Sequence, residues 1–209
     1  MPSRALVLAS LAALVGCGSG STASNAGPLV DNTKWVPSDA GEDLFGPKPE
    51  DAVCELEPID CEDEYPWPED DCVDFAADSS CITAYVPECF GAFTVLSVYT
   101  RMPNDRIPLC NWLTLEQASL RRIRAGDQVE VRTFHSKLTA PVPNGEARMV
   151  FVVGNEIAFD YTVAIPAAES QFPDAVWKAD KDYPEGTTLL FHVDNHGSNE
   201  YMLIEANVL

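Results

Sequence analysis

A chain of 209 residues has room for one ordinary domain with extensions and little for two. Its 46% hydrophobic content allows a core, while 33 Asp+Glu against 13 Lys+Arg leave a net charge of −20. So acidic a chain repels phosphate backbones and anionic headgroups, which argues against nucleic acid and the bare membrane surface as partners.

At the N-terminus, Arg4 precedes a nearly unbroken apolar run, Ala5 to Val15. The run is shorter than the ~20 apolar residues a membrane-spanning helix needs. With its charged start and small-residue end it reads as a secretory signal. The closing Leu14-Val15-Gly16-Cys17 resembles the lipobox of bacterial lipoproteins. That resemblance implies cleavage before Cys17 by signal peptidase II and diacylglycerol on its sulfur. Gly18, rather than Asp, after the lipidated position implies the outer membrane where the source has one. Residues 1–16 are then the signal peptide, and the lipid supplies the membrane anchor.

Residues 17–53 are expected to be the lipidated cysteine and a flexible tether. They are rich in Gly, Ser, Thr, Asn and Pro, with Trp35 and Phe45 the residues suited to dock on a domain. A single domain then fills 54–209, opening with an acidic, loop-rich lead-in over about 54–90. Five cysteines lie in that lead-in among many carboxylates, and Cys110 follows it. Cys54, Cys61, Cys72, Cys81, Cys89 and Cys110 are an even set in an exported chain, which reads as three disulfides of open connectivity. The close C-x2-C pairs of zinc sites are absent.

Beyond residue 82, short apolar runs between turns predict an all-β fold, an antiparallel β-sandwich of jelly-roll or Ig-like type. Residues 92–101 are a strand candidate. Residues 113–124, with Thr114 and Gln117 spaced as a capping box, are read as a short helix or turn. Ala125-Gly126-Asp127 turns into a strand over Gln128–Phe134 with Val129 and Val131 inward. The strongest signal spans 147–165. Ala147, Met149, Phe151 and Val153 share one face, Gly154-Asn155 suits a tight turn, and Ile157, Phe159, Tyr161, Val163 and Ile165 share the return face. Residues 174–179 are a weaker strand. A second hairpin is expected at the end, with Leu189, Phe191 and Val193 on one face and Met202, Ile204, Ala206 and Val208 returning after the loop Asn195–Asn199.

No nucleophile elbow, H-E-x-x-H or P-loop is present, and oxidised cysteines supply no thiol nucleophile. His135, His192 and His196 all fall at or near strand ends, where neutral imidazoles could gather around copper or zinc, with Asp194 in support. Their order with Met202 is loosely similar to cupredoxins, but no cysteine follows Cys110, so the blue-copper thiolate is missing. Glu62-Asp63-Glu64 and Glu69-Asp70-Asp71 could bind calcium weakly, although no D-x-D-x-D-G loop is present. Trp67, between two prolines, is the aromatic expected at the surface for ligand binding, whereas Trp112 and Trp177 are read as core. Asp160 and Asp194 are the remaining option for carboxylate-pair hydrolysis. The sequence thus points to an exported envelope lipoprotein acting as a non-catalytic binding or structural module. Its partners would be the membrane, through Cys17, and an envelope polysaccharide or another envelope protein. A copper- or zinc-binding protein built on the three histidines is the alternative.

Overall fold

A computed structural model describes residues 26–46, 82–90, 93–101, 111–139, 145–195, 197 and 199–209. Its elements in chain order are β1 (Gly27–Pro28), β2 (Val36–Pro37), α1 (Glu42–Phe45), β3 (Ile82–Phe90), β4 (Phe93–Arg101), β5 (Asn111–Ala118), β6 (Gln128–His135), β7 (Gly145–Val153), β8 (Glu156–Ile165), β9 (Asp174–Lys178), β10 (Thr188–Asn195) and β11 (Asn199–Val208).

The strands form two antiparallel sheets. Sheet A runs β3-β4-β11-β6-β9, with β1 also on β11, and sheet B runs β2-β5-β10-β7-β8. Four pairs nest inside one another about the Gly154-Asn155 turn: β7 with β8, β6 with β9, β5 with β10 and β4 with β11. Nested pairing is what results when one long antiparallel ribbon wraps around a core, and it defines the sandwich as a jelly roll. Gly154 takes the positive φ of 63° that its turn needs.

The apolar faces meet between the sheets. Val129 and Val131 of β6, Ala147, Met149, Phe151 and Val153 of β7, and Leu189, Phe191 and Val193 of β10 are all buried in one cluster. Phe159 and Ile165 join them, with Tyr161 and Val163 packed alongside. Ile157 departs from its expected face. Phe151 pairs with Phe159 but Val152 pairs with Ile157, so Ala158 is an extra residue. This bulge turns Ala158 inward and leaves Ile157 37% exposed.

Three further expectations are corrected. Residues 113–124 hold no helix: 111–118 are β5, whose inward Leu113 and Leu115 set a period of two. The last two strands are not a hairpin. Both edges of β10 are taken by β5 and β7, so β11 crosses to sheet A and fills the gap between β4 and β6. Residues 82–90, placed in the loop-rich lead-in, form β3. The rest of that lead-in, 54–81, and the disulfides expected there fall outside the described residues, and of Cys89 only the backbone is described.

The described part of the expected tether, 26–46, is built into the sandwich. Gly27 and Pro28 pair with Val208 and Asn207, and the Arg121 guanidinium bonds the carbonyls of Ala26 and Pro28 at 2.9 and 2.7 Å. Leu29 is buried and donates its N–H to the Ala206 carbonyl. A register shift in β11 leaves Ile204 unopposed. The Asn32 amide covers this bulge, donating to the carbonyls of Thr94, Leu203 and Ile204 at 2.9–3.2 Å. Its Oδ1 in turn accepts the Trp35 indole N–H. Trp35 is 4% exposed and meets Phe151 and Phe191, each at 6.4 Å between ring centres. The composition of this stretch suggested a tether because its few anchoring residues are widely spaced. They succeed because Asn32 supplies donors that a bulged strand lacks.

Trp35→Ala is expected to cost about 3–5 kcal/mol of unfolding free energy, as for other buried tryptophans. Urea denaturation followed by circular dichroism measures it; a change within about 0.5 kcal/mol would mean that the segment is a surface tether after all.

Candidate functional site

Sheet B has a second buried face, on its outer side. Val150 and Val152 of β7 and Leu190 of β10 project outward and are covered by Leu44 and Phe45 of α1. On β10, two residues beyond Leu190, His192 also faces outward, because alternation sends Phe191 and Val193 into the core. The neighbouring strand β5 presents Trp112 and Thr114 to the same side, out of phase with Leu113 and Leu115.

These groups enclose His192. Its ring stacks on Phe45 with centres 4.1 Å apart and planes 9° from parallel, and Trp112 meets it edge-on at 4.4 Å. Nδ1 lies 2.9 Å from Oγ1 of Thr114. Nε2 is buried without a hydrogen-bond partner among the described residues. Burial, with repulsion from Arg148, holds the imidazole's pKa down to about 3, against a smaller opposing pull from Asp160. His192 is therefore neutral at physiological pH.

Beside this enclosure, β5 and the residues before α1 bound an open groove with a cavity volume of about 110 Å³. Trp112 and Thr114 line it together with Ser38, Asp39 and Glu42. The Ser38 hydroxyl donates to Glu116 at 2.6 Å, and its N–H bonds the Thr114 carbonyl, which ties Ser38 to β5. Trp112 was expected in the core. Its one-residue offset from Leu113 and Leu115 is the pattern that places it outside.

His135 and His192, two of the three histidines expected to share a metal, face different ways. His135 closes β6 facing inward, stacked on Tyr161 at 5.9 Å, with Nδ1 2.8 Å from the Ser136 carbonyl. His192 faces away from the core on the outer side of sheet B, so the sheet separates the two rings. Their side chains have opposite sense, and among the described residues no group of three or more His, Cys, Asp or Glu side chains is placed to hold a metal ion. His196 and Trp67 fall outside the described residues, as do Cys17 and both acidic triplets considered for calcium. Met202 is buried, pairing with Phe134 and Ser97 on sheet A. Asp160, considered for a carboxylate pair with Asp194, is engaged by Arg148. It makes a two-pronged contact with Arg148, at 2.8 and 2.7 Å, while Arg148 stands opposite Asp194 on the adjoining strand.

Sheet A carries a separate polar cluster. The Tyr99 hydroxyl lies 2.5 Å from Oε1 of Glu88 and 2.9 Å from Oε1 of Glu200, and Ser97 donates to the other Glu88 oxygen. One phenol hydrogen cannot satisfy two carboxylates. Burial raises the Glu200 pKa, the Tyr99 hydrogen bond opposes it, and Glu88 raises it further.

No protein-family model and no curated protein matches the chain. Solved structures do. An arabinose-bound GH51 α-L-arabinofuranosidase aligns at 8% identity and TM-score 0.38, over 63% of this chain and 22% of its own. A Stig cyclase from Fischerella sp. TAU aligns at 11% identity and TM-score 0.39, over 55% of this chain and 64% of its own. A non-crystalline-cellulose-specific carbohydrate-binding module, CBM28, aligns at 12% identity and TM-score 0.37, over 62% of this chain and 84% of its own. The chain thus spans about a fifth of the arabinofuranosidase and under two thirds of the cyclase.

Two pH effects follow. The folded state holds His192 neutral, while the unfolded chain binds a proton below its ordinary value of 6.5. Stability from this group is complete above that value and is lost as pH falls towards 3. In urea titrations, the advantage of the native protein over His192→Gln should shrink by about 2 kcal/mol between pH 7.5 and pH 5. A constant difference would contradict the assignment. Glu200 has the opposite sign: its raised pKa favours the folded state at low pH, and that contribution is lost as pH rises through the folded value. Glu200→Gln should therefore raise the thermal midpoint at pH 8, with a smaller gain at pH 5.

Proposed function

We propose that the protein is an exported, lipid-anchored envelope protein whose jelly-roll sandwich is a non-catalytic binding module for neutral polysaccharide. The observation that carries the binding reading is the groove beside β5. There the Trp112 indole and the polar side chains of Ser38, Asp39 and Glu42 line one groove. A pyranose ring has one apolar C–H face and a rim of hydroxyls. It can stack on an indole while its hydroxyls bond to carboxylates and side-chain oxygens. At about 110 Å³ the groove is small beside the ~300–1,000 Å³ of sites that engulf a whole ligand, so it suits one unit of a longer chain. The net charge of −20 disfavours anionic polymers and leaves neutral ones. The anchor is supported by the Leu14-Val15-Gly16-Cys17 pattern after its apolar run.

Binding is tested by affinity electrophoresis of the purified protein in gels containing neutral glucans, with an anionic polysaccharide as control. Retardation by a neutral glucan, weakened about tenfold or more in Trp112→Ala, is expected. Unchanged mobility in every gel would remove the reading. The anchor is tested separately by labelling expressing cells with an alkyne fatty acid. Label and membrane retention should both be lost in Cys17→Ser, and an unlabelled native protein would exclude lipidation.

A further inference from the structure

The groove beside β5 has a charge pattern that hydroxyl binding alone does not use. The charged side chains that line it, Asp39 and Glu42, are both acidic, and among the described residues no lysine or arginine joins them there. The ion pairs among those residues join Lys34 to Asp31, Arg132 to Glu205, Arg148 to Asp160 and Lys181 to Glu156, so neither groove carboxylate has a basic partner in them. A third carboxylate, Glu116, accepts the hydroxyl of Ser38, itself a lining residue.

The backbone holds Asp39 and Glu42 at the groove. Ser38 Oγ donates to Glu116 and accepts the Ala40 N–H at 3.0 Å, which pins the chain on either side of Asp39. Glu42 opens α1, and α1 is seated on sheet B through Leu44 and Phe45, which pack on Val150, Val152 and Leu190. Like charges gathered in one groove repel each other, and a hydrogen bond from a hydroxyl leaves that repulsion in place, whereas a bound cation removes it. An exposed acidic run is ordinarily solvated surface. Here the acids share a cavity of about 110 Å³ with an indole, so a group that enters lies close to both.

We propose that the groove selects a sugar unit bearing a free amine, whose ring lies on the Trp112 indole and whose ammonium meets the carboxylates of Asp39 and Glu42. The inference rests on the reading of this groove as a polysaccharide site, and narrows it from any neutral unit to an amino sugar within an otherwise uncharged chain. An ammonium has three donors and no acceptor, which matches a lining of carboxylate and hydroxyl oxygens. It replaces one ring hydroxyl, so the rest of the ring keeps the contacts a neutral sugar makes. The net charge of −20 acts in the same direction, because it draws cations towards the surface.

The test is calorimetry on the full chain at pH 6 with a chelator present, against glucosamine hexamer, N-acetylglucosamine hexamer and cellohexaose in parallel. At low salt the glucosamine hexamer should bind about fivefold or more tightly than the other two, as two exposed ion pairs allow, and about 0.5 M salt should screen most of that preference. Asp39 and Glu42 are exposed, so replacing them does not threaten the fold. Asp39→Asn combined with Glu42→Gln should bring the three hexamers to equal affinity. Glu169→Gln combined with Glu185→Gln removes the same charge from exposed positions outside the groove and should keep the preference. Equal binding of all three hexamers by the native protein would overturn the amine selectivity and spare the polysaccharide reading. A preference that both double variants lose alike, or that neither loses, would overturn it as general attraction to an acidic chain or binding outside the groove. A lysine hexamer held as tightly as the glucosamine hexamer, with the same need for Asp39 and Glu42, would overturn the sugar in favour of a cationic peptide. Absence of binding to every hexamer would overturn both the inference and the reading beneath it.

Discussion

β11 is paired along both edges in sheet A and has three partner strands among the described residues. Its first half lies between β4 and β6, and its last residues lie between β1 and β6. The two flanking strands on one side occupy the same lane in succession, and the bulge at Ile204 falls at the handover between them. Backbone groups left bare at such a junction would be costly to bury. Asn32 reaches three carbonyls there, and Trp35 bonds to Asn32 and enters the core. The N-terminal segment is thus held where the sheet is least able to satisfy itself.

The crossing from β10 to β11 is secured by a second polar arrangement. Asn195 donates to Thr100 Oγ1 and the Gly197 carbonyl, and its Oδ1 accepts from Tyr201 and Asn199. Asn199 also bonds the backbone of Thr139 in both directions. These side chains are buried, so each bond is worth more than at the surface, and removing one partner strands the others. A Cβ at Gly197 would strike the Thr139 carbonyl, so the arch needs glycine to come that close. A jelly roll must carry its chain from sheet to sheet at such places, and here polar side chains rather than apolar packing fix the path.

The strands were legible wherever one face meets the core and the other meets water. β7 and β8 showed this best, up to Ala158, where the bulge moved Ile157 outward for reasons of pairing that alternation does not carry. β5 was hidden because Thr114 and Gln117 have helical spacing. Its outward Trp112 was hidden with it, since an aromatic flanked by apolar residues looks like core. Pairing was the least legible property. Leu189–Val193 and Met202–Val208 both alternate, and nothing local records that they belong to different sheets. The histidines show the same limit: nearness along strand ends says little until the side of the sheet is known. His192 could not have been placed beneath α1, because a four-residue helix between glycines leaves no periodic trace.

The pairing of Gly27 with Val208 brings the two ends of the described chain together across the same sheet. β4 and β11 are about a hundred residues apart in sequence, so most of sheet A forms only through distant contacts, which makes for slow folding. The strand that completes it is also the last of the described strands in chain order. Until it arrives, β4 and β6 have no common neighbour, and the Asn32 side chain has no bulge to cover. A sheet built this way keeps its middle open until β11 is seated, so its two halves become one cooperative unit in a single late step.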